Sequence, residues 1–168
     1  PGPAFYAHRR IGKDGIYFNC YKFRSMVVDS DRRLQEYLRA NPEAAKEWEE
    51  THKLKHDPRV TKIGVFLRKT SLDELPQLFN VIRGQMSLVG PRPIVDEEVI
   101  KYDVFFSDYT MVRPGMTGLW QTSGRSDTSY SRRVRLDAWY VRNWNIWLDI
   151  SLLVKTVRVV LSSHSGAY

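Results

Sequence analysis

The sequence has little cysteine and no long hydrophobic run, and each shortage excludes a class of protein. Cys20 is the single cysteine among 168 residues, which excludes an internal disulfide and a cysteine-based metal cluster. Because Cys20 stands in an apolar run, the sequence predicts a buried thiol in a reducing compartment such as the cytoplasm. No stretch of about eighteen consecutive apolar residues occurs, so we expect neither a transmembrane helix nor a signal peptide within this chain.

Composition and charge narrow the remaining classes. A hydrophobic fraction of 42% argues against disorder, and the length of 168 residues predicts a single domain with its own core. The formal net charge of +7 biases the surface towards anionic partners such as nucleotide, phospholipid or nucleic acid. Charge alone does not choose among these partners.

The stretch 68–93, RKTSLDELPQLFNVIRGQMSLVGPRP, concentrates the residues best suited to chemistry. Ser71 and Glu74 have the spacing of a capping box, and apolar residues then recur at helical spacing. These apolar residues are Leu75, Leu78, Phe79 and Ile82. The sequence therefore predicts a helix with Asp73 and Glu74 in its first turn, although Pro76 allows the start to shift by a few positions.

Two interpretations of this acidic pair remain open on the residues alone. Aspartate and glutamate are common in first turns, where they need do no more than cap the helix. The neighbouring arginines favour chemistry instead, since Arg68 precedes Asp73 closely and Arg92 stands between Pro91 and Pro93. Carboxylates between guanidinium groups suit phosphoryl transfer, in which the acids hold a divalent metal or attack phosphorus while the arginines bind phosphate oxygens.

A β-hairpin is predicted over 5–23, with an Asp-Gly turn. Its Arg9 and Arg10 are most simply interpreted as solvated strand charges. Lys22 and Arg24 fall on one face of the second strand, where a solvated edge is again the simplest interpretation.

Helices are predicted along most of the rest of the chain from apolar spacing and cap residues. A cap and first helical position are expected at Asp57-Pro58. The predicted helical stretches are 27–55 with a break at Asn41-Pro42, 58–67, 96–102, 131–144 and 146–162.

The stretch 113–118 is rich in turn residues, and its glycines would allow backbone N–H groups to approach a ligand closely. A plain structural turn explains these residues equally well.

Trp139, Trp144 and Trp147 crowd the junction of the last two predicted helices. Tryptophan beside arginine is typical of the headgroup level of a bilayer, and a helix with a broad apolar side can lie in that plane. A core helix with packed aromatics is the alternative. Asp149 on the apolar side favours that alternative or a specific buried partner.

Five motifs together resemble the monotopic polyprenyl-phosphate phosphoglycosyl transferases, the bacterial sugar transferase family. They are GPAF at 2–5, KFRSM at 22–26, DPRVTKIGVFLRKTSLDELPQ at 57–77, NVIRGQMSLVGPRP at 80–93 and RPGMTGLWQ at 113–121. The resemblance covers nearly the whole chain. In that family a GPxF segment follows directly on a membrane-embedded helix, so the resemblance implies such an anchor upstream of this sequence and is compatible with further domains there.

The resemblance implies an enzyme that transfers a hexose 1-phosphate from a UDP-sugar to undecaprenyl phosphate and releases UMP. This would be the first membrane step in making a surface polysaccharide such as O-antigen, capsule or exopolysaccharide. It implies Asp73 as a nucleophile that forms a covalent phosphosugar intermediate, and Glu74, with Asp73, as a ligand of Mg²⁺. The transferred sugar, galactose or glucose among others, cannot be read from the residues.

The resemblance also implies roles for residues outside the acidic pair. Phosphate binding falls to Lys22, Arg24, Arg68 and Arg92. The nucleotide-sugar loop comprises Pro91, Pro93, Arg113, Gly115, Thr117, Gly118 and Arg125. Trp139, Trp144 and Trp147 would lie at the membrane interface.

The resulting prediction is a mixed α/β domain, mostly helical, with a small antiparallel strand pair and membrane-interfacial helices, on the cytoplasmic face of a bacterial inner membrane. Its partners would be UDP-sugar, undecaprenyl phosphate and membrane lipid but no nucleic acid, with homo-oligomers conceivable through missing domains. The competing class is a non-enzymatic basic domain that binds anionic lipid or nucleic acid. That class would not place two carboxylates amid its basic residues.

Overall fold

Eight helices and four short strands make up the part of the chain that the computed structural model describes, residues 2–51, 54–123 and 129–161. The strands are β1 (Phe5–Ile11), β2 (Tyr17–Phe23), β3 (Ser87–Val89) and β4 (Gly115–Thr117). The helices are α1 (Ser30–Ala40), α2 (Pro42–Thr51), α3 (Lys62–Lys69), α4 (Gln77–Ile82), α5 (Asp96–Tyr102), α6 (Phe106–Met111), α7 (Tyr130–Arg142) and α8 (Ile146–Leu161). The predicted fold class is confirmed.

The strands β1 and β2 form the predicted antiparallel hairpin. Phe5 pairs with Phe23 at one end and Ile11 with Tyr17 at the other. The turn at Lys13–Gly15 needs positive φ, which Asp14 (57°) and Gly15 (74°) supply. The hairpin buries Phe18 and Cys20 against Met86, so Cys20 is a buried thiol as predicted.

The second sheet is a parallel pair of β3 and β4, which was not predicted. Its glycines allow two backbone segments to touch, since a Cβ on Gly115 would lie 2.1 Å from the nitrogen of Gly90. The Gly115 N–H donates to the carbonyl of Pro91 at 2.8 Å. Because this N–H is used in backbone pairing, the alternative of a structural turn is favoured at Gly115.

Two further clusters of buried side chains complete the core. One joins Ile11, Ile94, Tyr102, Tyr109 and Val134, and therefore ties the hairpin to α5, α6 and α7. The other packs Val89 against Tyr140 and Leu152, which ties β3 to α7 and α8. Because α7 contributes Val134 to the first cluster and Tyr140 to the second, it links the hairpin to β3 and α8.

The acidic pair lies in a 3₁₀ turn, Leu72–Glu74, one turn before α4 begins at Gln77. The predicted capping box was wrong, because Ser71 has a left-handed backbone with φ 57° and its side chain makes no capping bond. A cap was also misplaced upstream. The helix α3 begins after Thr61, whose hydroxyl accepts the Gly64 N–H at 2.9 Å, and not at Asp57-Pro58.

The short helix α4 has its polar side facing the protein. Asn80 is fully buried and Gln77 is 3% exposed, whereas Ile82 on the other side is 83% exposed. The Asn80 side chain accepts the Tyr21 N–H at 3.1 Å and donates to the Asn19 carbonyl at 2.7 Å. An amide therefore docks α4 on the open edge of β2 and leaves Leu78, Phe79 and Ile82 exposed, whereas Val81 packs against the cluster around Met86.

Candidate functional site

A cavity of about 680 Å³ lies where the hairpin, the 3₁₀ turn, β4 and the end of α8 meet. Its wall carries two carboxylates, those of Asp73 and Glu74, and a larger set of basic side chains. The basic side chains are Arg10, Lys22, Arg24, Arg68, Arg92 and Arg133. Such an excess of positive charge around two acids suits an anionic ligand with more than one charge.

Asp73 is a partly buried carboxylate in this wall. Burial raises its pKa above the ordinary value, and Glu74 adds to the effect, while Lys22 and Arg68 oppose it. Loss of hydration makes a carboxylate a stronger nucleophile than one in water, and the two nearby cations favour its ionised form.

Glu74 is paired with Lys22, which projects from the end of β2. The Nζ of Lys22 lies 2.6 Å from Oε1 of Glu74, and the two side chains are 28% and 36% exposed. This ion pair connects the hairpin to the 3₁₀ turn. It fixes Glu74 beside Asp73 with a positive charge at hand for a phosphate.

Arg68 is held in place by a residue that the sequence did not single out, Ser25. The Nε of Arg68 donates to Oγ of Ser25 at 2.9 Å. The segment after β2 can approach α3 because Gly64 has no side chain, and a Cβ there would lie 1.9 Å from the Ser25 carbonyl oxygen. Arg24 is oriented differently, since its Nε donates to the Pro3 carbonyl at 2.8 Å.

Arg10 and His8 also line the cavity, and the interpretation of Arg10 as a solvated strand charge was wrong. The Arg10 side chain is 14% exposed, whereas Arg9 is exposed and stacks on the ring of Tyr17 at 3.8 Å. Strand alternation could have found this. His8 and Arg10 lie on the same face of the hairpin as Lys22, opposite to Arg9.

The predicted nucleotide-sugar loop is only partly at the cavity. Thr117 lines it, and Gly115 and Pro93 line a small adjoining cavity of about 20 Å³. Within the described ranges, Pro91, Arg113 and Gly118 line neither cavity, because Pro91 and Gly118 are buried against neighbouring backbone and Arg113 is exposed near Gly84. Arg125 lies outside the described residues. Trp120, Gln121 and Thr122 line the wall just after β4, although no role was predicted for any of them from the sequence.

Behind Arg92 lies a buried carboxylate, Asp137 of α7, with 2% of its surface exposed. Its Oδ2 accepts the hydroxyl of Tyr102 at 2.8 Å. Burial raises the pKa of Asp137 to about 7, against the opposing effects of Tyr102, Arg92 and Trp120. Asp137 therefore connects α5 and α7 to two residues of the cavity wall.

Comparison with known proteins places this geometry in a family. The bacterial sugar transferase family model matches residues 1–163. The chain belongs to the bacterial sugar transferase family. It is 60% identical over 99% of its length to an uncharacterized sugar transferase of Haemophilus influenzae, and 58% identical over 99% to an undecaprenyl-phosphate galactose phosphotransferase of Salmonella typhimurium. It is 53% identical over 99% to the exopolysaccharide production protein ExoY of Sinorhizobium fredii.

The chain covers a different share of the length of each of these relatives. The chain spans 35% of the Haemophilus and Salmonella proteins and 74% of the Sinorhizobium protein. The shared part holds the whole cavity wall. Activity, substrates and partners of the whole protein are taken up below as proposals.

The tryptophans predicted for a membrane interface are exposed on this member of the family. Trp139, Trp144 and Trp147 are 49%, 56% and 75% exposed. Trp144 is not free to turn, because its indole N–H donates to Asp149 at 3.0 Å and the Tyr140 hydroxyl donates to the same carboxylate at 2.7 Å. Asp149 thus has the specific partners expected as one alternative. Among the described helices, none combines the length and apolarity that crossing a bilayer requires.

The carboxylates of the site could hold Mg²⁺ only if substrate phosphates and water complete its coordination shell. Among the described residues no group of three or more histidine, cysteine, aspartate or glutamate side chains could hold a metal by itself. Mg²⁺ commonly takes one or two carboxylates and completes its shell with substrate phosphates and water. Asp73 and Glu74 provide two such carboxylates at the cavity wall.

Proposed function

We propose that this protein transfers a hexose 1-phosphate from a UDP-sugar to undecaprenyl phosphate and releases UMP. The observation that carries the proposal is the placement of Asp73. It is a partly buried carboxylate in a cavity whose other charges, Glu74 excepted, are basic. The names of the Salmonella and Sinorhizobium relatives point to the same chemistry and to polysaccharide production.

The reaction is proposed as two displacements at one phosphorus. A carboxylate oxygen of Asp73 forms a bond to the sugar-bearing phosphorus, and the bond from that phosphorus to the bridging oxygen breaks, so UMP leaves with the electron pair. A phosphate oxygen of the acceptor lipid then attacks the same phosphorus. The aspartyl bond breaks and restores the Asp73 carboxylate.

The basic residues have distinct proposed parts in these steps. Arg68, fixed by Ser25, and Lys22, paired with Glu74, would bind the oxygens of the phosphoryl group under attack. Mg²⁺, held by Glu74 and Asp73, would offset negative charge between two anionic substrates. Arg24 and Arg92 add further positive charge to the wall of the cavity.

The acceptor is proposed to reach the cavity from a membrane on the cytoplasmic side. The cavity wall includes the apolar Val160 of α8 and Met116 of β4 beside its charged residues, which suits an amphiphilic phosphate. Exposed apolar side chains lie on two parts of the surface. They are Ile63, Phe66, Leu75, Leu78, Phe79 and Ile82 around α3 and α4, and Trp139, Trp144, Trp147, Ile150, Val154 and Val157 around α8. So many exposed apolar side chains favour contact with lipid.

Release of UMP from UDP-galactose tests this function. We expect UMP release to require Mg²⁺ and to stop when the metal is chelated. Repeated turnover should also require undecaprenyl phosphate. A domain that only binds anionic lipid or nucleic acid would release no UMP. Replacing UDP-galactose by UDP-glucose and N-acetylated UDP-sugars in the same assay identifies the sugar.

A further inference from the structure

Arg10 is a nearly buried guanidinium whose bonds within the protein use only part of its hydrogen-bonding capacity. Its Nη1 donates to the Pro93 carbonyl at 3.3 Å, and its Nη2 lies 3.1 Å from Nδ1 of His8. A guanidinium has five N–H donors in a planar fork. The other N–H groups of Arg10 make no hydrogen bond to the described residues, although Oε2 of Glu98 lies 3.6 Å from Nη1. The side chain lines both the main cavity and the small one beside it.

The positive charge of Arg10 is poorly balanced by the protein. Its acidic neighbour is Glu98, at 3.6 Å, but Glu98 also accepts the Val95 N–H and the Tyr130 hydroxyl. Burial lowers the pKa of Arg10, and the nearby guanidinium of Arg92 lowers it further, while the carboxylate of Glu98 opposes both effects. Two like charges with little access to water are costly to keep together unless an anion lies between them.

His8 adds a neutral donor to this pair. Because a guanidinium only donates, Nδ1 of His8 accepts from Arg10 and the ring proton is on Nε2. Burial lowers the pKa of His8, and the charges of Arg10 and Lys22 lower it further. The ring also lines the main cavity. Arg10, Arg92 and His8 thus give one wall three groups that can donate hydrogen bonds, with no carboxylate of the reactive pair bonded to them.

We infer that Arg10 and Arg92, assisted by His8, form a second phosphate subsite that takes a phosphate monoester beside the phosphoryl group on Asp73. The inference rests on the proposed function, which needs two phosphates in the cavity at once. In the first displacement the monoester is the leaving UMP, and in the second it is the phosphate of the attacking lipid. Both are monoesters of the same shape and charge, so one subsite suits either.

Binding of UMP and of uridine to the Arg10→Gln variant tests the subsite apart from turnover. We expect UMP to bind about tenfold more weakly than to the parent, since a charge-assisted bond is worth at least about 1.4 kcal/mol, while uridine binding is unchanged. Arg9→Gln, which alters the exposed neighbour on the opposite face, is the matched control and should bind UMP like the parent.

A second measurement needs no variant and so does not depend on folding. Phenylglyoxal modifies accessible guanidinium groups, and peptide mass spectrometry locates the modified arginines. We expect UMP, but not uridine, to protect Arg10 and Arg92 from modification. Undecaprenyl phosphate in detergent micelles, compared with undecaprenol, shows whether the lipid phosphate gives the same protection. Protection by either phosphate supports the subsite and identifies its source.

The outcomes separate this inference from the proposed function. If the parent releases UMP from UDP-sugar, but Arg10→Gln binds UMP with parental affinity and neither phosphate protects Arg10, the subsite is wrong and the function stands. If the parent releases no UMP and binds none, the proposed function fails and the subsite fails with it.

Discussion

At the scale of single residues, the cavity depends on guanidinium groups with fixed positions. Arg68 is tied through Nε to Ser25 at 2.9 Å, which leaves its two terminal nitrogens directed away from that bond. A lysine carries its donors on one nitrogen, so it lacks the planar fork that bonds Ser25 on one side and presents paired N–H groups to phosphate oxygens on the other. This distinction between charge and geometry can be measured.

We expect Arg68→Lys and Arg92→Lys each to lower kcat/KM at least tenfold, about 1.4 kcal/mol in the barrier, although charge is kept. Steady-state assays with UDP-sugar and undecaprenyl phosphate provide the measurement. Arg32→Lys, on the exposed surface of α1, should leave the rate unchanged. Parental rates in both cavity variants would mean that these arginines are ordinary surface charges.

The buried carboxylate of Asp137 predicts a pH dependence of stability. Burial raises its pKa from 3.8 to about 7, so in that window the folded protein keeps a proton that the unfolded chain loses. Stability should therefore fall as pH rises from 3.8 to about 7 and this contribution should then level off. We expect Asp137→Asn to reduce the slope by as much as about 1.4 kcal/mol per pH unit.

Urea unfolding of parent and Asp137→Asn at several pH values inside that window measures the slope. Asp31→Asn, an exposed change on α1, is the control and should follow the parent. Equal slopes for parent and Asp137→Asn would show that Asp137 is already ionised in the folded state at low pH.

At the scale of elements, α4 is the least conventional part of the fold. Its buried Asn80 holds three bonds, including one in which it donates to Oε1 of Gln85 at 2.8 Å. Asn80→Leu would fill the same space and leave the Tyr21 N–H and the Asn19 carbonyl without that partner. We expect the free energy of unfolding to drop by about 3 kcal/mol, since each unpaired buried group costs roughly 1–3 kcal/mol.

Chemical denaturation checks this prediction. Gln35→Leu on the exposed side of α1 is the matched control and should change stability by less than about 0.5 kcal/mol. If Asn80→Leu is as stable as the parent, α4 is held by apolar packing and its exposed face has another explanation.

These elements also show how far sequence patterns reach. The two strand-like segments and the Asp-Gly turn between them predicted the hairpin, because these signals are local. The helical spacing of Leu75, Leu78 and Ile82 predicted a helix but could not tell which side is buried. An argument from hydrophobic spacing assumes that the apolar face of a helix is the buried one. In α4 the buried face instead carries the amides of Gln77 and Asn80.

The candidate site divides in the same way. Asp73, Glu74, Lys22, Arg24, Arg68, Arg92 and Thr117 were singled out from motifs, and they all line one cavity. Arg10 and His8 were missed although strand alternation places them with Lys22. Trp120 and Gln121 belong to the motif at 113–121, but no local pattern assigned them to the cavity, because their position depends on the long-range pairing of β3 with β4.

At the scale of the whole molecule, the exposed apolar surface predicts membrane binding. We expect the protein to float with vesicles rich in anionic lipid, and less so at high salt as the net charge of +7 is screened. Trp139→Ser with Trp147→Ser should reduce flotation and leave the melting temperature near the parent's, because both side chains are exposed.

Trp144→Phe is the informative companion, since it keeps an aromatic side chain but loses the indole N–H that bonds Asp149. It should lower the melting temperature and retain most flotation. If Trp139→Ser with Trp147→Ser unfolds the protein, these tryptophans belong to the core and the interfacial interpretation is wrong.

The central claim is that Asp73 carries the sugar phosphate between the two substrates. Its pKa is raised by burial, so the carboxylate is costly to ionise, and Asp73→Asn should fold at least as stably as the parent at neutral pH while losing turnover. The most direct measurement is mass spectrometry of the protein after Mg²⁺ and UDP-sugar are added without acceptor lipid. We predict one hexose phosphate on the peptide that contains Asp73 and none on Asp73→Asn. UMP release by the parent with no adduct, or with an adduct on another residue, would contradict the account.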